Sequence, residues 1–391
     1  MTESRLPAAE TDIAILGAGP VGMTLHLALA AGGLSSVLIE QRPHAALNSD
    51  PRTLALSHGA CQLLGQLEAW PASAATPIHD IHISQRGGFG RTRLDRRDYQ
   101  LPALGHVVRY GAIAAALAAR CQPAHILDAS LLLAHETHAE GLTLRLATQN
   151  GEHSLRCKLL IHAEGTPPDD PDVEVSDYDQ HAVICEVSPR PHRPQASLPP
   201  HAHRAWERFT PDGPLALLPL GDQYSVVFTV PPARADALMQ LDDAGFLHAL
   251  RRQFGDRLDF ADPTPRHRFP LALRLRQTLA RDREAWIGNT AQTLHPVSGQ
   301  GFNLGLRDAW QLATTLLDDG PSPAALQRYV GLRQLDRRGG ALFTDGIVRL
   351  FSNDQPLLQA ARGIGLCALD LLPPLRHFVA KRMIWGARAW P

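Results

Sequence analysis

Two glycine-rich stretches carry the chemistry legible in this 391-residue chain. The first, Gly17-Ala18-Gly19-Pro20-Val21-Gly22, fits GxGxxG between an apolar, strand-competent run at 12–16 and a Leu/Ala-rich helical stretch at 21–31. Gly17 permits a tight turn, Gly19 lets backbone approach a pyrophosphate, and Gly22 lets the helix pack on the strand. The helix N-terminus then presents N–H groups and the positive end of its dipole to phosphates. Glu40 lies 18 residues past Gly22, at the end of a second strand-like run at 36–39. A carboxylate there accepts from ribose hydroxyls. The pattern specifies an adenine dinucleotide; it does not separate FAD from NAD.

The second stretch is Gly288-Asn289-Thr290-Ala291-Gln292-Thr293-Leu294-His295-Pro296-Val297-Ser298-Gly299-Gln300-Gly301-Phe302-Asn303, read as a loop ahead of a helix beginning near Leu304. Pro296 stiffens it, while Gly299 and Gly301 let backbone amides face a flat ligand. The following helix aims its N-terminus at that ligand and stabilises negative charge. A flavin gains such charge at N1 and the C2 carbonyl when reduced. His295 beside this cradle suits proton transfer near neutral pH, and equally a hydrogen-bonded structural histidine.

These stretches need a scaffold that puts them side by side. Residues 12–40 read as a βαβ unit. Alternation around 78–99 breaks at Gly87-Gly88, 111–121 is an Ala-rich helix, and 142–147 and 155–162 are strand-like. The runs 214–220 and 224–230 flank Gly221-Asp222-Gln223 as an antiparallel hairpin. We expect a helical C-terminus broken at Gly339-Gly340 and at Pro373-Pro374. The fold class is α/β: a Rossmann-like FAD-binding domain with an inserted, mainly antiparallel β-sheet substrate domain and a helical C-terminus. Its expected parts are 1–75, 106–175 and 276–340 for the FAD-binding domain, 76–105 and 176–275 for the substrate sheet, and 341–391 for the C-terminal helices.

Composition is ordinary globular, with 44% hydrophobic and 20% charged residues, which excludes disordered and collagen-like classes. A formal charge of −1 provides no field for nucleic acid. Only Lys158 and Lys381 are lysines among 38 basic residues, an arginine excess that reads as compositional habit before phosphate binding. Cys61, Cys121, Cys157, Cys185 and Cys367 are odd in number and without CxxC spacing, as for buried thiols of a reducing cytoplasm. The start at Met1 to Arg5 lacks signal-peptide order, and no apolar run is long enough to span a bilayer. No histidine spacing suggests a metal; His192, His201 and His203 fall in a Pro-rich, solvent-facing stretch. The alternating Leu215, Leu217, Leu218, Val226 and Phe228 could line an apolar channel or form plain core. In the tail, Leu366, Leu371, Leu372, Leu375, Phe378, Val379, Met383, Ile384 and Trp385 interleave with Arg376, Lys381, Arg382 and Arg388. That pattern fits peripheral contact at the inner face of a membrane or with a partner, and equally a helix docked on the core.

Together with the stretch Asp50-Pro51-Arg52-Thr53-Leu54-Ala55-Leu56-Ser57, the two glycine-rich motifs resemble the FAD-dependent aromatic hydroxylases of the para-hydroxybenzoate hydroxylase type. Four stretches, 98–108, 207–210 with 213–220, 288–308 and 363–366, bring the chain nearest to the ubiquinone-biosynthesis hydroxylases that act on polyprenyl-methoxyphenols. The resemblance implies non-covalent FAD, reduction by NADPH or NADH without a separate nicotinamide domain, and molecular oxygen activated as a flavin C4a-hydroperoxide. A polyprenylated phenol is the implied substrate, and other ubiquinone-biosynthesis proteins are implied neighbours of the C-terminal helices. By position, Gly17, Gly19, Pro20, Gly22 and Glu40 would hold the adenosine half of FAD, and Arg52 would touch flavin or its phosphates. Arg109 is a candidate phosphate contact or a solvated helix-start arginine. Pro296, Gly299, Gln300, Gly301, Phe302 and Asn303 would cradle the isoalloxazine, with His295 and Pro296 nearest the chemistry.

Two departures stand out. The broad family has Gly-Asp where this chain has Gly288-Asn289, an asparagine shared by the ubiquinone branch that still hydrogen-bonds a ribityl chain. The family's Ala-Asp-Gly becomes Ala163-Glu164-Gly165-Thr166-Pro167-Pro168, one methylene longer and with two fewer N–H donors. Because that motif serves both FAD and reductant in relatives, its change raises the alternative of a flavin-poor scaffold subunit. A flavoprotein hydroxylase of a soluble aromatic is another alternative, and a simple NAD dehydrogenase, against which the 288–303 string speaks, is the third.

Overall fold

The computed structural model describes residues 10–43, 50–166, 170–190, 200–351 and 356–386. Pro167, Pro168, His192, Arg388 and the start at Met1 to Arg5 therefore lie outside the described residues. The βαβ unit is present: strand Glu10–Leu16, helix Pro20–Ala31 and strand Ser36–Ile39, the two strands pairing in parallel. The long strand Gly151–His162 lies on the other side of Glu10–Leu16, also parallel, and Glu284–Trp286 extends it. These strands are buried on both faces, as helix-covered parallel strands must be. One face packs on helices Pro20–Ala31 and Gln300–Asp319 through Met23, Leu25, Leu29, Leu306, Leu312 and Leu316. The other faces the antiparallel layer Leu131–Thr137 and Leu142–Thr148.

The second sheet has nine strands and is mainly antiparallel. Its spine is Val173–Arg190, paired with Gln223–Val230 on one side and His267–Arg276 on the other. Strands Gly213–Leu220 and Gln223–Val230 form the expected hairpin. Two features were absent from the sequence reading. Strand Arg204–Thr210 pairs in parallel with Asp80–Gln85, and two helices, Pro232–Gln240 and Asp243–Phe254, cover the outer face. Leu215, Leu217, Val226 and Phe228 are core against Phe246, Leu250 and Phe254 of that outer layer, so they line no channel; Leu218 points the opposite way. A three-stranded sheet, Thr53–Ser57, Gly105–Arg109 and Thr76–Ile78, bridges the two larger ones.

The C-terminal part is helical over Pro323–Phe351, Pro356–Leu371 and Pro373–Trp385. The break falls before Pro373 as expected, but Gly339-Gly340 lies inside a continuous helix. A Cβ on Gly339 would sit 2.4 Å from the Arg382 guanidinium, the movable end of a neighbouring helix's side chain. Cys61, Cys121, Cys157 and Cys185 are buried, whereas Cys367 is half-buried. No described helix is long and apolar enough to cross a membrane.

One buried ion network joins these layers. Asp308 on helix Gln300–Asp319 is 2% exposed, and its Oδ1 accepts from Arg333 at 2.8 Å. Its Oδ2 accepts from the Gly288 N–H at 3.1 Å and the Gln292 amide at 2.5 Å. Arg333 also donates to Asp336, which holds Arg307. Removing the cation from a buried pair strands the anion. Arg333→Met is expected to lower unfolding free energy by about 3–5 kcal/mol, read as a fall in the urea midpoint.

Candidate active site

The first glycine turn is pinned from two sides. Gly17 has φ +95°, donates its N–H to Ile39 at 2.7 Å, and would place a Cβ 2.6 Å from the Ala163 carbonyl oxygen. Gly22 would bring a Cβ within 2.1 Å of the Gly17 oxygen. These two glycines are required by packing. Gly19 differs: its Cβ position meets only the Tyr110 hydroxyl, at 3.5 Å, so the space before it is open to a ligand. Pro20 opens the helix at its first position, where no N–H is needed, and no side chain caps this end. Glu40 is 6% exposed; its Oε2 accepts from the Ala18 N–H at 2.9 Å and its Oε1 from the Arg42 N–H at 3.0 Å. The carboxylate is thus fixed at the strand end beside the turn.

Arg52 chelates Asp50, with contacts of 2.9 and 2.6 Å, and lies 5.1 Å over the Tyr110 ring. Arg109 is held in a bidentate pair with Glu186 of the second sheet, at 3.1 and 2.5 Å, so its guanidinium is engaged within the protein. Glu164 is half-exposed and reaches back to His162, its Oε1 lying 3.2 Å from Nδ1. His162 Nε2 meets Glu284 at 2.8 Å, and the ring stacks on Trp286 at 4.8 Å with a 9° interplanar angle. Gly165 follows with φ +104° and nothing within 4 Å of its Cβ position.

The second glycine stretch starts in a 3-10 turn, Gly288–Thr290, which carries Asn289. Gly288 has φ +61° and lies against Val21 of the first helix. His295 is 1% exposed: Nδ1 accepts from the Val297 N–H at 3.1 Å, and Nε2 sits 3.2 Å from the Gln180 side-chain Oε1. Burial pushes its pKa down to about 3, so the ring is neutral and donates through Nε2. Both nitrogens serve the turn Pro296–Ser298 and the second sheet. Gly299, at φ +60°, starts helix Gln300–Asp319 without a side-chain cap. The helix therefore begins four residues before the expected Leu304, and Gln300, Gly301, Phe302 and Asn303 form its first turn. Gly301 has nothing within 4 Å of its Cβ position. Gln300 donates to the Met383 carbonyl at 3.2 Å, and Phe302 is half-buried against the core of the first sheet.

Asn303 holds this cradle to strand Thr53–Ser57. Its Oδ1 accepts from the Ser57 N–H at 2.9 Å, and its Nδ2 donates to Ala55 at 3.0 Å and Gly299 at 2.6 Å. Thr53 Oγ1 in turn meets Ser225 Oγ of the second sheet at 2.5 Å. The structure thus brings together 17–22 with Glu40, and separately 52–55 with 296–303. The supporting contacts of Tyr110, Gln180, Glu186 and Ser225 join residues distant in sequence, and no local spacing signals them.

Burial lowers the His162 pKa, but hydrogen bonds to Glu164 and Glu284 outweigh it and raise the value to about 9. An unfolded histidine titrates near 6.5, so the pair's stabilisation is complete below that pH and is lost as pH rises through about 9. Thermal melting across this window should fall more steeply in the wild type than in His162→Asn, the difference being the equivalent of about 2–3 kcal/mol.

Residues 10–330 match the family described as FAD binding domain. Ubiquinone hydroxylase UbiL of Rhodospirillum rubrum is 30% identical, over 97% of this chain and 91% of that protein. The 3-demethoxyubiquinol 3-hydroxylase of Escherichia coli is 31% identical, over 95% and 97%. In fold, p-nitrophenol 4-monooxygenase PnpA of Pseudomonas putida superimposes with a TM-score of 0.76 at 16% identity, covering 97% of this chain and 99% of that one. HpxO of Klebsiella pneumoniae, complexed with FAD, gives 0.74 at 16%, covering 96% and 99%.

Proposed function

The chain belongs to the FAD binding domain family, and from that premise we propose that it is an FAD-dependent monooxygenase hydroxylating the ring of a polyprenylated methoxyphenol on the route to ubiquinone. The observation that carries the reading is the pair of open-fronted glycines, Gly19 and Gly301, each at an uncapped helix start, with Glu40 fixed beside one. Each offers the first-turn N–H groups and positive dipole end that an anionic group needs. The residues fit FAD: Glu40 would hold the adenosine ribose, the turn 17–22 the pyrophosphate, and Asn289 the ribityl chain. Residues 52–55 and the cradle 296–303 would take the ring, the helix start favouring the negative charge a reduced flavin carries. FAD supplies the electrons and the oxygen activation when bound, with NADPH or NADH as the reductant.

The chain's own contribution is position and exclusion of water. Pro296 holds the cradle turn rigid, and His295 is a positioning residue that fixes that turn to Gln180. Arg52, chelated by Asp50 and stacked on Tyr110, presents a pre-set cation near the cofactor. Arg109 ties the three-stranded sheet to the second sheet. Glu164, clamped by protonated His162, keeps its carboxylate close to the first turn in spite of the extra methylene. The substrate's isoprenoid tail suits the half-buried Ile81, Leu218 and Val227 on the inner face of the second sheet. Exposed Leu371, Leu372, Leu375 and Phe378 beside Arg376 suit peripheral contact with a lipid surface.

The test is the visible spectrum of the purified protein and identification of the nucleotide released on denaturation. FAD near one per chain, and NAD(P)H oxidation accelerated by a prenylated methoxyphenol, are the expected results. Glu40→Ala should lower FAD occupancy at limiting cofactor by about tenfold, as loss of one charge-assisted hydrogen bond predicts. A wild type that takes up no flavin from excess FAD would sink the reading.

A further inference from the structure

The inner face of the second sheet holds one ionisable group that no contact above employs. Along strand Arg204–Thr210, Trp206 and Arg208 face the outer helices, bonding Tyr224 and Gln253. Ala205, Glu207 and Phe209 face inward, Ala205 against Val107 and Leu220, Phe209 stacked on Phe351. Glu207 lies in register with Ile83 on one neighbouring strand and Ala216 on the other. Beyond Ala216 comes Val227, and the turn Pro296–Ser298 packs on the strand carrying Ala216. Ile83, Ala216, Leu218 and Val227 are only half-buried, so this face keeps accessible apolar surface.

Within that apolar row, Glu207 Oε1 is sealed from solvent and has no hydrogen-bond partner among the described residues. A carboxylate left so is costly unless something pairs with it. On the reading just given, the geometry points to Glu207 as the residue that meets the phenol hydroxyl of the substrate and takes its proton. The O–H bond breaks, its electron pair stays on the phenol oxygen, and the proton ends on a Glu207 carboxylate oxygen. The ring gains electron density at the positions that accept oxygen. When the ring later loses its C–H proton to water and regains aromaticity, Glu207 returns the proton it took to the aryl oxygen and is again a carboxylate. Oxygen and the two reducing equivalents are those of the monooxygenase reaction.

The surroundings suit this task. Burial alone raises the Glu207 carboxyl to about 8, close to the range in which a base for a phenol operates well. Its strand neighbours are apolar. Of the charged groups on the elements packed over this face, Asp345 and Arg349 pair with each other, Arg362 lies over the Phe351 ring, and His295 is neutral. None of them sets the Glu207 equilibrium.

The test uses the FAD-loaded protein with p-nitrophenol as a chromophoric probe. In the wild type the bound phenol should ionise in two coupled steps, one belonging to the carboxyl; in Glu207→Gln it should ionise in one. For hydroxylation of a prenylated phenol, kcat/KM should rise with pH through about 8, because only the ionised carboxylate accepts a proton. Glu207→Gln should lose that limb and fall about 10²–10⁴-fold. Should Glu207→Gln fail to retain FAD, Glu207→Asp decides: a displaced limb supports the role and an unmoved one overturns it. A Glu207→Gln protein with wild-type titration and profile overturns the role and leaves the hydroxylase reading standing. A wild type that binds FAD yet neither binds p-nitrophenol nor responds to a prenylated phenol overturns both.

Discussion

The arrangement of the cofactor site depends on the burial of one carboxylate. Asp308 has lost its water, and an unpaired charge at that depth would be unstable, so every partner must be in place at once. Those partners come from three parts of the chain: the backbone of Gly288, the amide of Gln292 and the guanidinium of Arg333. Satisfying Asp308 therefore fixes the helix that carries the cradle, the turn that carries Asn289 and the long C-terminal helix in one geometry. Because Gly288 also lies against Val21, the same constraint reaches the first helix and its phosphate-facing end. The starts of the two helices proposed to face the cofactor are thus held in register by the protein's own contacts.

Arginine is the residue that makes such joints here. Arg276 is 5% exposed, lies 4.6 Å over Trp286, binds Asp170 and Asp172, and donates to the Thr290 carbonyl. Arg337 reaches Gln292 and the carbonyls of Arg276 and Ala291. A planar guanidinium can serve several acceptors in fixed directions, which a lysine ammonium cannot do. The near absence of lysine is in these places a structural trait and not only a compositional one.

What the sequence made legible was local. The turn 17–22, the flanking strands, Glu40 and the hairpin about Gly221-Asp222 follow from backbone requirements over a few residues, and the structure has them. The cradle string was legible as chemistry, although its helix starts at Gln300 because Gly299 turns the chain early. What could not be read were pairings across long separations: Arg109 with Glu186, His295 with Gln180, Asp80–Gln85 beside Arg204–Thr210. Alternation at 215–228 showed that one face is apolar but not which layer it meets, and helices 232–254 settle that. Gly339 looked like a stop because glycine weakens helices, but the helix Pro323–Phe351 runs on through it.

The interleaving of the two large sheets also bears on how the protein is made. Strand Gly151–His162 gains its partner Glu284–Trp286 only after the whole second sheet has been synthesised. Strand Asp80–Gln85 likewise waits for Arg204–Thr210. Contacts of such sequence separation form slowly and leave strand edges open meanwhile. During translation, then, the nascent chain carries a finished phosphate turn long before it can carry a finished flavin pocket. Until residues 288–308 and Arg333 have left the ribosome, the emerging polypeptide lacks the elements proposed to cradle the cofactor's ring.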